Sequence, residues 1–281
     1  MRVRYSFSSR RTRHTKNIRK QREKYPSILQ KVVETSDIIL EILDARFIDE
    51  TRNYEIEEDI KKKDKKLIYV INKSDLTSRE NIITNIFPKV IMSCKKRYGI
   101  KSLRDLIKKE AKKIKPLNKQ REKFEKIVVG VIGYPNTGKS SVINLLIGKK
   151  SAGTGSDAGY TKGLQKLKLT SEITLLDSPG VIPSKEYSSE NKTIITKNTK
   201  VGARSHSQVK DPELVITNLM KEYPEVLQKY YKIKTGSAEH LIEKLGRQKN
   251  FLKKGNEVNF DKTSRLIIKD WQEGKIKITN P

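Results

Sequence analysis

A glycine-rich stretch, "GYPNTGKSS" at residues 133–141, carries residue types that suit the binding of phosphate groups. Glycines such as Gly133 and Gly138 let successive backbone N–H groups converge on phosphate oxygens. Lys139 can reach the β- and γ-phosphates of a nucleoside triphosphate, and Ser140 can ligate Mg²⁺. Because the stretch follows a buried apolar run and precedes a helical one, it predicts a phosphate-binding loop rather than a plain glycine turn. The loop residues predicted to contact the nucleotide are Asn136, Thr137, Gly138, Lys139, Ser140 and Ser141.

A second motif, Asp177-Ser178-Pro179-Gly180, ends another apolar run about forty residues further on. A carboxylate there suits Mg²⁺ bound beside the phosphates, and the N–H of Gly180 can meet the γ-phosphate, so this loop can sense whether that phosphate is present. Thr161, in "AGYTKG" between the two motifs, is the candidate to close on Mg²⁺ and the γ-phosphate. Two plainer alternatives stay open: Asp-Ser-Pro-Gly is also a favourable turn, and Thr161 could be an ordinary loop threonine.

Residues 68–76, "IYVINKSDL", end an apolar run with side chains that could read a guanine base. Guanine offers two neighbouring N–H donors, N1–H and N2–H₂, and adenine lacks this pair. The carboxylate of Asp75 can accept from both, so it would select guanine over adenine. Asn72 would brace the loop and contact the base edge, and the stem of Lys73 would lie along the ring. The alternative is a strand that ends in a polar turn.

The tripeptide "SCK" at residues 93–95 ends the next apolar run and is predicted to complete the guanine site. A small residue at Cys94 lets its backbone N–H approach guanine O6, the Ser93 side chain can brace the loop, and Lys95 belongs to the same loop. We prefer this interpretation of the single cysteine to redox chemistry or metal binding, since one cysteine offers no metal cluster.

These motifs stand in an unusual order, with the guanine-reading loops ahead of the phosphate loop. In an ordinary GTPase the phosphate loop comes first. A rotated order is physically permissible, because domain termini often lie close together and can be joined while a surface loop is opened. The basic helix predicted over residues 102–114, with the linker that follows it, would form the new joint.

The motifs require strands that end at one edge of a sheet. Short, β-branched apolar runs predict strands over residues 37–46, 65–75, 89–95 and 125–136, with two more within 164–180. Helical spacing is predicted over 51–63, 102–114 and 140–148. Strands that alternate with helices indicate an α/β fold, a mostly parallel sheet flanked by helices, with a small helical region at the C-terminal end.

Four segments are predicted along the chain. Residues 1–24 form a basic arm, 25–182 the nucleotide-binding domain, 183–205 a polar mobile connection, and 206–281 a helical domain. The arm carries ten Lys and Arg against one Glu, and it is too poor in apolar residues to bury a core of its own.

Charge is the strongest compositional signal: 61 Lys and Arg against 33 Asp and Glu give a formal net charge of +28. Such an excess favours nucleic acid as a partner through counterion release, although a lysine-rich host proteome would also produce it. The sequence shows no apolar run long enough to span a membrane and no signal-peptide core, and its single cysteine fits a reducing compartment. We therefore expect a cytoplasmic protein without a membrane partner.

The chain resembles the circularly permuted P-loop GTPases that assist assembly of the large ribosomal subunit. The resemblance rests on "DAR" at 44–46, "NKSD", "SCK", "GYPNTGKSS", "GYTKG" and "DSPG", and more loosely on "VGARSHSQVKDPELV". It implies that the fold is a permuted GTPase fold and that GTP hydrolysis is coupled to binding of rRNA or the large subunit precursor. Lys139, Thr161, Gly180 and Asn136 would be its catalytic residues, with Ser140, Thr161 and Asp177 around Mg²⁺.

The position after Asp-x-x-Gly holds Val181, where many GTPases have a glutamine that orients the attacking water. Valine cannot hydrogen-bond through its side chain, so slow intrinsic turnover is expected. In GTPases with this replacement, a phosphate-loop asparagine can help to bind K⁺, and Asn136 holds that position.

Three alternatives remain open from the sequence. The nucleotide could be mainly structural in an RNA-binding module, the chain could be a P-loop ATPase or kinase, or the GTPase could act on another RNA such as tRNA. Asp75 argues against the second, and the intact set of Lys139, Ser140 and Asp177 argues against the first.

Overall fold

The computed structural model describes residues 27–117, 126–148, 164–183, 186 and 191–278. The predicted arm 1–24 and Thr161 lie outside these residues. The described strands form one six-stranded sheet in the order β3-β2-β1-β4-β6-β5. Their bounds are β1 Ile38–Asp44, β2 Lys66–Asn72, β3 Lys89–Ile91, β4 Ile127–Ile132, β5 Gln165–Lys168 and β6 Ile173–Asp177.

The sheet is parallel except for its edge strand β5, which runs antiparallel to β6. The predicted α/β fold with a mostly parallel sheet is therefore confirmed. All seven residues of β1 are buried, because β2 and β4 flank it and helices cover both faces of the sheet. Strands buried on both faces read as continuous apolar runs, and this made them recognisable in the sequence.

The register of the strands brings the polar motif residues to one edge. Asp44 of β1 lies beside Asn72 of β2, and Val131 of β4 lies beside Asp177 of β6. Parallel strands share a carboxyl edge, and ligands bind outside that edge in open α/β sheets. The fold thus places the guanine motif and the phosphate loop side by side.

The described helices, labelled in chain order, lie around the sheet and in the C-terminal region; a further helical segment covers residues 27–35. Their bounds are α1 Ile48–Thr51, α2 Tyr54–Lys62, α3 Ile100–Leu117, α4 Lys139–Ile147, α5 Lys192–Lys200, α6 Pro212–Glu222, α7 Pro224–Tyr231, α8 Ala238–Gln248 and α9 Phe260–Gln272. Among the described helices, none combines the length and the apolar character that a membrane crossing requires.

The C-terminal helices pack directly on the sheet half of the molecule. One buried cluster joins Phe47, Tyr134 and Ile182 from the sheet half to apolar side chains of α6, α8 and α9. Trp271 of α9 is fully buried in it, with its ring centroid 6.1 Å from that of Phe47. This shared core fixes the C-terminal helices against the edge where the motifs lie.

Helix α5 lies in the segment 183–205 that was expected to be an irregular connection. The Asn191 side chain caps it by accepting from the Thr193 N–H at 2.9 Å. Its last turn is held by α9: Trp271 Nε1 donates to the Lys200 carbonyl, and Gln272 Nε2 to the Thr199 carbonyl. Polar residues such as these give no apolar periodicity, so only the tertiary contacts reveal the helix.

Candidate nucleotide-binding site

Three loops meet in a cleft of about 1160 Å³ at the carboxyl edge of the sheet. They follow β2, β3 and β4, and they carry the predicted guanine and phosphate motifs. The predicted site residues that line the cleft are Asn72, Lys73, Asp75, Cys94, Lys95, Asn136, Gly138 and Ser141. The structure therefore brings together residues from motifs that are far apart in the sequence.

The phosphate loop contains three residues with positive φ angles, two of which are glycines. Gly133, Asn136 and Gly138 all have positive φ angles, of 142°, 61° and 99°. A Cβ atom at Gly138 would lie 2.3 Å from Asn72 Nδ2, so only glycine lets the guanine loop approach so closely. Thr137 is fully buried, and its hydroxyl donates to the Tyr134 carbonyl at 3.0 Å.

The Lys139 ammonium is buried beneath the phosphate loop. Its Nζ donates to the Gly133 carbonyl at 3.1 Å and to the Tyr134 carbonyl at 2.7 Å. Burial lowers the pKa of Lys139 to about 8, although the negative charge of Asp177 opposes this shift. Phosphate oxygens near this ammonium would add negative charge to that of Asp177 and would favour its protonated form.

Asp177 and Ser140 form a pair that fits Mg²⁺. The Ser140 hydroxyl donates to Asp177 Oδ2 at 3.3 Å, and Asp177 Oδ1 is buried with no hydrogen-bond partner among the described residues. Burial raises the pKa of this carboxyl, and Lys139 opposes the increase. A buried carboxylate oxygen without a donor, next to a hydroxyl, is the oxygen chemistry that a hard divalent cation prefers.

Gly180 lies against the phosphate loop in a space that excludes any side chain. A Cβ there would stand 2.6 Å from Pro135 Cα and 2.8 Å from Lys139 Nζ. The next residue, Val181, donates its N–H to the Gly133 carbonyl at 3.3 Å and turns its side chain into the core under the sheet. The position where a glutamine would orient water is thus a core position in this chain.

Asn72 joins the two halves of the site. Its Nδ2 donates to the Thr137 carbonyl at 2.8 Å, and its Oδ1 accepts from the Cys94 N–H at 3.2 Å. The predicted bracing role is therefore visible in the contacts of Asn72. The Cys94 N–H, predicted to approach guanine O6, is directed at Asn72 in this structure.

Asp75 is held by the neighbouring loop. The Ser93 hydroxyl donates to Asp75 Oδ1, so the serine braces the carboxylate itself. The thiol of Cys94 has a pKa raised by burial to about 11, which keeps it protonated and unreactive at neutral pH. This agrees with a small residue in a tight loop.

Lys73 adopts a left-handed backbone conformation, with φ at 61°, and its Nζ donates to Asp44 Oδ2 at 2.9 Å. Asp44 is fully buried and also receives the guanidinium of Arg46. Burial alone would raise the pKa of Asp44, but Arg46 and Lys73 together hold it well below its usual range. The "DAR" residues are thus structural partners of the guanine motif.

The C-terminal region also lines the cleft, which the motif analysis did not predict. Its contributors are Gly202, His206, Lys269, Gln272 and Glu273. The Asn136 side chain donates through Nδ2 to the Gly202 carbonyl at 2.9 Å, so the phosphate loop contacts this region directly. The only sequence signal was "VGARSHS", which entered the resemblance but carried no predicted site residue.

A family model described as a 50S ribosome-binding GTPase matches residues 128–243. An uncharacterized GTP-binding protein of Methanocaldococcus jannaschii is 39% identical over 258 residues, which cover 89% of this chain and 65% of that protein. GTPase grn1 of Schizosaccharomyces pombe is 30% identical, with 91% of this chain and 61% of that protein covered. The nuclear GTP-binding protein NUG1 of Saccharomyces cerevisiae is 30% identical, with 92% and 56% covered. The chain thus spans less than two thirds of the length of these relatives.

Among solved structures, GDP-bound YlqF of Thermotoga maritima superimposes with a TM-score of 0.61 at 19% identity, covering 89% of this chain and 96% of that one. The GNP-bound form of YlqF gives a TM-score of 0.60, also at 19% identity, and covers 89% of this chain and 93% of that one. At this identity the similarity concerns the fold.

Proposed function

We infer that this chain is a circularly permuted P-loop GTPase, which binds GTP and GDP in the cleft and hydrolyses GTP there. One observation carries the proposal: Asn72 bonds both the phosphate loop, at Thr137, and the guanine loop, at Cys94. A guanine reader and a phosphate binder are thereby held in one rigid unit. A guanine nucleotide that spans the two loops contacts the first with its base and the second with its phosphates.

Each residue of the proposed site has a distinct task. The Asp75 carboxylate, steadied by Ser93, accepts from guanine N1–H and N2–H₂, and the stem of Lys73 lies along the ring. The Lys139 ammonium meets the β- and γ-phosphate oxygens. The Gly180 N–H donates to the γ-phosphate. Backbone N–H groups of the loop from Gly133 to Ser141 surround the phosphates.

Mg²⁺, when bound, would offset the negative charge of the phosphates. Ser140 and Asp177 would hold it, with the orphaned Asp177 Oδ1 as the available acceptor. Thr161, outside the described residues, is proposed to close on the same ion and the γ-phosphate.

Potassium is proposed to take part because Val181 cannot orient water. The amide nitrogen of Asn136 already donates to the Gly202 carbonyl, and this leaves its oxygen as the group that can ligate a cation. A monovalent cation at that oxygen would offset charge that develops between the β- and γ-phosphates.

The proposed partner is rRNA within the large ribosomal subunit or its precursor, with the nucleotide state controlling association. The net charge of +28 supports a polyanionic partner, and the matching family model is described as 50S ribosome-binding. We propose that the helical region 206–281 contributes to this surface and that the protein acts in the cytoplasm.

GTP turnover measured in K⁺ and in Na⁺ tests this function, with Asp75→Asn as the matched variant. We expect faster turnover in K⁺, and further stimulation by large ribosomal subunits or their RNA. Asp75→Asn should weaken GTP binding without favouring ATP, because the asparagine cannot accept from both guanine nitrogens. Equal rates in the two salts would contradict the potassium role, and no turnover under any condition would favour a structural nucleotide.

A further inference from the structure

A buried network of ion pairs and hydrogen bonds connects the guanine loop to the last helix, α9. The Arg46 guanidinium donates two hydrogen bonds to Asp44, from Nε to Oδ1 at 3.0 Å and from Nη2 to Oδ2 at 2.8 Å. Asp44 Oδ2 also accepts from Lys73 Nζ at 2.9 Å. The remaining terminal nitrogen, Nη1, donates to the Trp271 carbonyl of α9 at 3.1 Å.

Because this network is buried, its role is not simply to stabilise the fold. The side chains of Arg46 and Asp44 are 1% and 0% exposed. Taking two charges out of water is unfavourable, and buried ion pairs are often no more stabilising than apolar side chains of the same volume. What such a pair does supply is fixed geometry, since a planar guanidinium can meet a carboxylate and a third acceptor in only one arrangement.

A second contact joins the same two parts of the molecule. The Ile278 N–H, after α9, donates to the Leu76 carbonyl at 2.9 Å, and Thr77 and Ile278 form a parallel bridge. Leu76 follows Asp75 directly. Gly274 lies against the Leu76 side chain, where a Cβ would come within 2.6 Å. The segment from Trp271 to Ile278 therefore contacts the guanine loop both through Arg46 and directly at Leu76.

We propose that Arg46 is a positioning residue that couples guanine recognition to the docking of the C-terminal helices. Through Asp44 it fixes the Lys73 ammonium, so that the lysine stem covers the base. Through the hydrogen bond from Nη1 to the Trp271 carbonyl it holds the carboxyl end of α9 in place. Ordering the guanine loop with a nucleotide then favours the docked C-terminal segment, and docking favours the nucleotide by the same factor.

This coupling differs from a γ-phosphate switch. It acts at the base end of the cleft, so GDP and GTP engage it equally, whereas Gly180 and Asn136 lie at the phosphate end. The inference rests on the proposed function, since it requires guanine nucleotides to bind at this site.

The test is Arg46→Lys, which keeps the charge but cannot bond Asp44 twice and Trp271 once. Arg52→Lys is the control, because Arg52 makes a similar two-bond contact with Glu57 away from the cleft. We expect Arg46→Lys to weaken GDP and GTP binding about tenfold each, with turnover at saturating GTP unchanged. GDP should also slow hydrogen exchange at residues 272–278 in the wild type and in Arg52→Lys, but much less in Arg46→Lys.

If Arg46→Lys does not fold, Gly274→Ala displaces the same segment from Leu76 while Arg46 and Asp44 stay intact, and it should weaken GDP binding as well. The inference is overturned if Arg46→Lys, or in its place Gly274→Ala, binds GDP like the wild type, or if exchange at 272–278 responds to GDP as it does in the control. Failure of the wild-type protein to bind any guanine nucleotide would instead overturn the proposed function.

Discussion

At the scale of single residues, the site depends on charges that burial makes unfavourable without the ligand. Lys139 is the clearest case, because its ammonium is bonded only to backbone carbonyls in the described residues. Asp177 keeps one oxygen without a donor there. Both groups suit the phosphate and the Mg²⁺ of the proposed ligand.

The depressed pKa of Lys139 predicts a pH-dependent nucleotide affinity. The pKa is about 8 in the free protein, and bound phosphates raise it, so binding favours the protonated lysine. Affinity should fall about fourfold between pH 7 and pH 8.5, as proton linkage requires. This range stays below the pH at which guanine loses its own N1 proton. Calorimetric titration with GDP measures the change.

Lys139→Arg is the control for this pH effect, because a guanidinium stays charged throughout the range. Its GDP affinity, even if lower overall, should not change between pH 7 and pH 8.5. An identical slope in wild type and Lys139→Arg would assign the titration to another group.

At the scale of elements, the C-terminal helices are packed by small residues as well as by apolar ones. Gly246 of α8 is buried where a Cβ would meet Val258 Cγ1 at 2.3 Å and Thr263 Oγ1 at 2.9 Å. Glycine is a poor helix residue, so close approach of α8 to α9 explains its presence. The packing of these helices holds Trp271 in the buried apolar cluster beside the cleft.

Gly246→Ala should therefore destabilise the fold although alanine favours helix. We expect a loss of about 1–2 kcal/mol, since overpacking outweighs the gain in helix propensity. The matched control is Gly236→Ala, where a Cβ meets nothing within 4 Å, and its stability should be unchanged or slightly higher. Urea unfolding of both variants measures the difference. Equal stability of the two would contradict the close-packing account.

At the scale of the whole molecule, the rotated motif order puts Gly180, the proposed γ-phosphate sensor, next to the C-terminal region in sequence. Gly180 leads through the segment 183–205 into the helices that line the cleft, and Gly202 in that segment contacts Asn136. An ordinary motif order would place the next core strand after Asp-x-x-Gly. The rotated order instead gives the nucleotide state a short path to the proposed RNA-binding surface.

Hydrogen exchange of residues 199–278 with a GTP analogue and with GDP measures this path. We expect slower exchange with the analogue, largest near Gly202, because the γ-phosphate holds Gly180 against the phosphate loop. The base-end contacts at residues 272–278 should respond equally to both nucleotides. Identical exchange across the whole range would exclude a γ-phosphate signal through this segment.

Most of the sheet could be predicted because its strands are apolar, short and bounded by charged residues. The helix Lys192–Lys200 could not, since its buried residues include Thr196, Asn198 and Thr199, which carry no apolar period. The C-terminal lining of the cleft was missed for a related reason. His206, Lys269 and Gln272 are ordinary polar residues whose role depends on where α9 packs.

The sequence alone determined the proposed motif chemistry and the rotated order. Each motif depends on residue types and spacing within one strand and the loop that follows it, and the order of the motifs is read directly along the chain. The positions of Lys139 and Asp75 needed no knowledge of packing. Only the tertiary structure decided that Asn72 bonds the phosphate loop, that Arg46 reaches Trp271, and that the C-terminal helices close the cleft. These contacts join residues far apart in the chain, and no local pattern encodes which distant backbone carbonyl a side chain will meet.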